Sequence, residues 1–178
     1  GRSGWFFSFE RAGIIPDMVV LSKSIGGYGL PMAIALFKPE LDIWKPGEHN
    51  GTFRGNQLAF VAAKAGLEYM LEHKVEQQAR DKGEIIRTFI ESEILPMDSR
   101  LELRGIGMIW GIEFENIPVP GFADQVIDAC FRKGLIIEGA GRKNSVVKLM
   151  APLVISKEQL LAGLQILKSA VEECLAGL

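Results

Sequence analysis

Two short apolar runs, MVVL at residues 18–21 and MAIAL at 32–36, bracket the segment SKSIGGYGLP. Neither run carries a charge, and Pro16-Asp17 punctuates the entry to the first. Continuous apolar character of this kind predicts strands buried on both faces, as in a parallel or mixed sheet of an α/β fold. Strands are therefore expected over residues 18–22 and 32–37. With 48% hydrophobic residues in 178, the chain can bury such a core. The first strand ends on a single ammonium group, Lys23, followed by Gly26-Gly27-Tyr28-Gly29. A lysine at the end of a buried strand is expected to be desolvated.

Helical periodicity takes over at Asn56. Leu58, Val61, Ala62, Ala65, Tyr69 and Met70 follow a stripe of 3.6-residue period running to about residue 73. A second helix is expected from Val75 to Leu95, with Ala79, Ile85, Ile86, Phe89, Ile90 and Leu95 inward, and Pro96 stops it. Strands are expected at 101–104 and 108–114, joined by Gly105-Ile106-Gly107, and again at 135–138 and 146–149. Between and after them lie helices at 122–133, with Gly134 at the C′ position, and at 157–175, with Ser156 as N-cap. The order is the end of an α/β sheet, a helical connection, then a compact α+β domain. That divides the chain into residues 1–56, 57–84 and 85–178. The opening GRSGWFFSFE reads as if cut from a longer protein, with a helical turn and aromatic residues of core character.

Lys23 is the first candidate for chemistry. Removing water from an amine enlarges its neutral, nucleophilic fraction, which suits attack on a carbonyl. The plainer reading, a lysine snorkelling from a strand end, fits the local pattern as well. A nucleotide-binding P-loop does not fit, because there the glycines precede the lysine. The second candidate is GEHNGTFRGNQLA, residues 47–59, where the Thr52 hydroxyl, backbone N–H groups and a helix start could cradle a phosphate or simply cap the helix. The third is Lys148, between apolar residues before Pro152, placed either to meet an anionic substrate group or on a solvated strand face. Arg104 reads as a structural anchor that donates to turn carbonyls. His49 and His73 are isolated, and Cys130 and Cys174 lie far apart, so no metal site and no disulfide framework is expected. A net charge of −2 argues against nucleic acid or an anionic membrane as partner, and no apolar run approaches transmembrane length. A cytoplasmic protein is expected.

Four motifs in order, SKSIGGYGLPMAIAL, GEHNGTFRGNQLAF, LRGIGMIWGIEF and VVKLMAPLVIS, resemble the C-terminal half of the class III (subgroup II) aminotransferases. The wording lies nearest to the branch of that family acting on diaminobutyrate and 2-oxoglutarate. The resemblance implies a fold-type-I transferase that uses pyridoxal 5′-phosphate. The chain would supply the end of the large-domain sheet plus a small α+β C-terminal domain. It implies that Lys23 forms the Schiff base with the cofactor. Gly26, Gly27 and Gly29 match the loop after that lysine. Thr52 matches the threonine that reaches the cofactor phosphate of the neighbouring subunit, in a homodimer or dimer of dimers. Lys148 stands where many members carry an arginine that grips a substrate carboxylate, and a lysine offers a point charge in place of a planar fork. The implied reaction moves an amino group from glutamate to aspartate 4-semialdehyde, giving 2,4-diaminobutyrate and 2-oxoglutarate. The 178-residue piece alone is expected to be inactive, because the groups that cradle the cofactor ring lie upstream in the family. The alternatives are an aminotransferase for another ω-amine, such as ornithine or 4-aminobutyrate, and a non-catalytic C-terminal dimerisation module.

Overall fold

The computed structural model describes residues 1–27 and 29–178. Tyr28 of the predicted glycine-rich turn lies outside the described residues. The chain divides into two units, Phe9–Lys74 and a second made of Gly1–Ser8 with Val75–Leu178.

The first unit is built on a two-stranded ribbon. Strand β1, Met18–Ser22, pairs antiparallel with β2, Ala33–Phe37, with Val20 opposite Ala35. The strand positions are as expected, but the pairing and the burial are not. Val20 is 71% exposed, and Met18 and Leu36 also face outward. A two-stranded ribbon has two open faces and no flanking strand, so an apolar run within it cannot be sheltered on both sides. Helix α1, Gln57–Glu72, starts where Asn56 accepts the Ala59 N–H through its side-chain oxygen at 3.2 Å. Its buried face is not the large apolar stripe. Ala59 and Ala63 are buried, one turn apart, while Leu58 and Val61 are exposed. Beside them Ala62 packs closely on the turn after β1, where a larger side chain would collide with Gly27.

The second unit holds the main core. Strands β3, Glu102–Ile106; β4, Ile109–Glu113; β5, Glu138–Ala140; and β6, Val146–Leu149, form an antiparallel sheet in the order β3-β4-β6-β5. Helices α2, Val75–Glu93; α3, Phe122–Arg132; and α4, Lys157–Leu175, cover it, with Ile90, Ile112, Phe114, Val147, Leu164 and Val171 packed in the common core. The inward residues expected of α2 are found inward: Ala79, Ile86 and Ile90 are buried, and Ile85, Phe89 and Leu95 pack against the core. Helix α4 opens with a reciprocal capping box between Ser156 and Gln159, worth about 1 kcal/mol. After α3, Gly134 takes φ +88, the left-handed conformation expected of it.

Several boundaries shift. Helix α2 ends at Glu93 rather than at Leu95, Gly105 and Ile106 belong to β3 rather than to the turn, β4 spans Ile109–Glu113, and β5 starts at Glu138 rather than at Leu135. Its partner β6 ends at Leu149, and beyond it the Ala151 carbonyl is taken by Arg2 while Pro152 has no N–H to give. The N-terminal residues form a strap on this unit. The Met108 N–H donates to the Arg2 carbonyl at 2.8 Å, and Arg80 donates to the Gly4 carbonyl. Gly107, at φ +52, is required there: a Cβ would lie 2.4 Å from the Arg2 carbonyl oxygen.

Candidate functional site

Lys23 leaves the end of β1 in a conformation that few non-glycine residues adopt. The preceding Ser22 is extended, whereas Lys23 itself has φ +56. The left-handed region brings an L-residue's Cβ too close to its own carbonyl, at a cost of roughly 1–2 kcal/mol. Outliers of this kind gather at functional sites, where the surrounding structure holds them in place. Here the holding is visible. Residues Lys23–Gly26 form one 3-10 turn, closed by the Gly27 N–H donating to the Ser24 carbonyl at 3.1 Å. Gly27, at φ +72, lies against α1 so closely that a Cβ on it would sit 2.8 Å from the Ala62 Cβ. A Cβ on Gly26 would sit 3.0 Å from that of Met32 at the entry to β2. The turn is therefore clamped between a helix and a strand, and the lysine projects from it.

The sequence pattern places that amine in a buried environment; in the structure Lys23 is exposed. The reason is the open ribbon: among the described residues β1 pairs with β2 alone, in a two-stranded sheet. Thr52 is also exposed, in a tight turn where the Arg54 N–H donates to the Gly51 carbonyl at 3.0 Å. Lys23 and Thr52 thus belong to the same unit, each presented from a turn. His49 rests against Trp44 with ring centroids 4.7 Å apart, and His73 stacks on Tyr69 at 3.9 Å. Among the described residues no cluster of three or more His, Cys, Asp or Glu could hold a metal ion, and no helix is long and apolar enough to cross a membrane.

Lys148 occupies the second unit, half-buried on β6. Its ammonium meets a partner that sequence reasoning missed. Glu138 Oε2 lies 2.7 Å from Lys148 Nζ, because the β5–β6 register sets the two residues directly opposite each other. The hydrogen bond from Lys148 holds the Glu138 carboxyl below its usual range. The signal for this pairing was present: the two flank the Gly141–Asn144 turn almost symmetrically, as partners across a hairpin do. Both line a cleft of about 420 Å³ whose other walls, Gln159 apart, are uncharged and mostly apolar, including Leu149, Ala151, Ile155 and Leu160. Two cations fasten one side of this cleft through backbone carbonyls. Arg2 donates to Ala151 O at 2.8 Å and to Met108 O at 3.1 Å, and Lys82 donates to Leu153 O at 2.6 Å. Burial pushes the Arg2 guanidinium below its ordinary pKa.

Arg104 is structural, as expected, but not through turn carbonyls. It bonds Glu113 at 2.7 Å across the β3–β4 pair and lies 3.7 Å from Glu102. Burial raises the Glu113 carboxyl, and hydrogen bonds from Ser145 and Arg104 more than offset this, so the net direction is down. Cys130 is fully buried on α3. Desolvation pushes its thiol up to about 11, which makes it inert.

The family described as Aminotransferase class-III matches residues 1–171. The diaminobutyrate–2-oxoglutarate transaminase of Wolinella succinogenes is 49% identical over 176 residues, covering 98% of this chain and 40% of the relative. The enzyme of the same name from Streptomyces anulatus is 49% identical over 174 residues, again covering 40% of the relative. Among solved structures, the acetylornithine aminotransferase of Elizabethkingia anophelis superposes with a TM-score of 0.84 at 28% identity, over 97% of this chain and 45% of that one. The ornithine delta-aminotransferase of Plasmodium falciparum superposes at 0.86 and 29% identity, over 100% of this chain and 45% of that one. The α/β architecture expected from the motifs is therefore that of solved aminotransferases. The chain spans about two fifths of the length of the curated relatives it matches.

Proposed function

The chain belongs to the class-III aminotransferase family, and we propose that the whole protein of which it forms part is a pyridoxal 5′-phosphate-dependent aminotransferase. On this reading it moves an amino group from glutamate to aspartate 4-semialdehyde, giving 2,4-diaminobutyrate and 2-oxoglutarate, reversibly. Residues 1–56 then end the cofactor-binding large domain, 57–84 connect, and 85–178 form the small domain. The observation that carries the proposal is Lys23: an accessible amine on a strained, clamped turn at a strand end.

The donor set fits the cofactor at two points. An exposed primary amine is the group that an aldehyde requires, and an exposed hydroxyl beside Gly51 is one that a phosphate accepts from. Lys23 would hold the cofactor, and Thr52 would donate to the phosphate, in a homodimer from across the subunit boundary. When bound, the cofactor supplies a sink for the electron pair left behind as the substrate carbon loses its proton. Lys23 Nζ, once the incoming substrate amine has taken its place, would be free to take that proton and hold it for return, general acid–base work worth about 10²- to 10⁴-fold. The clamp on Gly27 fixes the backbone from which that amine extends. Lys148 offers a point charge to a substrate carboxylate. The protein works in the cytoplasm on small molecules, and the 178-residue piece alone does not turn over. The ornithine enzymes among the structural neighbours support a second reading, transfer from another ω-amine, which substrate profiling of the intact protein separates from the first.

Replacing Lys23 with alanine in the full-length protein tests the assignment. The expected result is loss of turnover by at least about 10²-fold. Undiminished transaminase activity of Lys23→Ala would remove it.

A further inference from the structure

Asn50 and Gly51 carry an inference that rests on the proposed role of Thr52 and goes beyond it. We propose that Asn50-Gly51 is a self-modification site, at which the asparagine converts to aspartate and isoaspartate and thereby weakens the hold of Thr52 on the cofactor phosphate.

The chemistry needs no reagent but water. The Gly51 backbone nitrogen gives up its proton and attacks the Asn50 side-chain carbonyl carbon. A C–N bond forms to close a five-membered succinimide, the bond to the side-chain amide nitrogen breaks, and ammonia leaves with the proton. Water then opens the ring at either carbonyl. One opening gives aspartate; the other gives isoaspartate, whose main chain runs through the side-chain methylene. The step is favoured by an unengaged attacking N–H, by backbone free to rotate, and by a following residue with no side chain to obstruct the ring.

Of the four asparagines in the chain, Asn50 alone meets all three conditions. Asn50 and Gly51 lie outside helix and strand, and both are exposed. Among the described residues nothing accepts from the Gly51 N–H. The Asn50 side chain is tied by its Nδ2 donating to the Gly47 carbonyl at 3.0 Å, an exposed bond that water can replace. Arg54 adds a cation beside the attacking nitrogen: its Nε lies 3.1 Å from where a Cβ on Gly51 would stand, and its guanidinium has no partner among the described residues. A positive charge there favours the deprotonated amide. The other asparagines are closed to the reaction. Asn56 uses its side-chain oxygen to cap α1, and Asn144 is bonded to Asp124 and precedes Ser145. The nitrogen after Asn116 belongs to β-branched Ile117 and donates to the Phe114 carbonyl at 3.0 Å.

Thr52 follows directly in the chain. Either product places a carboxylate where a neutral amide stood, two residues before that hydroxyl, and isoaspartate also lengthens the main chain by a methylene. A phosphate accepting from Thr52 then meets a like charge. Conversion runs one way, so the loss accumulates with time.

The test follows the full-length protein, freed of pyridoxal 5′-phosphate and held at pH 8, by peptide mass spectrometry that reads the exchange of amide for carboxyl at each asparagine. Asn50 is expected to convert on the order of tenfold faster than any of the other three, and Gly51→Ala to slow it by a similar factor. Asn50→Asp, the product itself, should raise the Kd for pyridoxal 5′-phosphate about fivefold, the upper end for one exposed charge, whereas Asn50→Gln keeps the amide and the parent's Kd. Equal conversion at all four asparagines, or none at Asn50, would overturn the site. An Asn50→Asp protein with the parent's Kd would overturn its link to the phosphate. A parent that binds no pyridoxal 5′-phosphate would remove the proposed function, and the link with it, whatever the mass spectra show at Asn50.

Discussion

Substituting Gly27 with alanine tests whether the clamp behind Lys23 is real. Two costs arise at this position. The residue sits at φ +72 and ψ −151, a combination open essentially only to glycine, where an L-residue loses at least about 1–2 kcal/mol. The added methyl would also stand 2.8 Å from the Ala62 Cβ, well inside the 3.5–4.0 Å that carbon atoms prefer, and overpacking of this kind costs about 1–3 kcal/mol. Together the substitution should destabilise the packing of the turn on α1 by about 2–5 kcal/mol. Native-state hydrogen exchange of the α1 amides reads this directly as faster opening, by a factor between about 30 and several thousand. Ala62→Gly made in the same protein removes the colliding methyl but leaves the backbone strain. It should therefore restore part of the loss, less about 1 kcal/mol for glycine in a helix interior. The double-mutant cycle isolates the contact from the dihedral cost. Exchange rates in Gly27→Ala equal to the parent's, or no recovery in the double variant, would refute the clamp.

Two further expectations concern the second unit. Arg100 bonds Asp98 at 2.5 Å and holds its carboxyl down to about 2, from an ordinary 3.8. A carboxyl depressed in the folded state contributes stability that is full above pH 3.8 and lost as pH falls through about 2. Asp98→Asn should therefore cost about 1 kcal/mol at neutral pH and almost nothing at pH 2, as read from urea midpoints at the two values. Cys130, buried with its thiol raised to about 11, should resist alkylation at pH 8 in the folded protein and react once urea unfolds it, with mass spectrometry counting the adducts.

The sequence was most informative where structure is decided locally. Asn56 and Ser156 accept N–H groups a few residues on, and Gly134 turns left after α3, so the helix ends at these caps are legible from residue type alone. The apolar content of β1 correctly marked a strand but not its surroundings. Whether Val20 is covered depends on which elements flank the ribbon, and strand composition carries no record of that. The same reason hides the exposure of Lys23. Arg2 was unreadable as a fastener because its acceptor, Ala151, lies at the other end of the chain, and only the folded sheet brings them together. Glu138 is intermediate: the Lys148 hairpin could have been drawn from the glycine and asparagine between them, but the register that makes the pair is a property of the turn.

The account stands most directly on the identity of the lysine that holds the cofactor. Borohydride reduction of the full-length protein loaded with pyridoxal 5′-phosphate, followed by peptide mass spectrometry, fixes that lysine covalently. The expected result is a single labelled position at Lys23, lost in Lys23→Ala. A label on Lys148 or on any other lysine, with Lys23 unmodified, would contradict it.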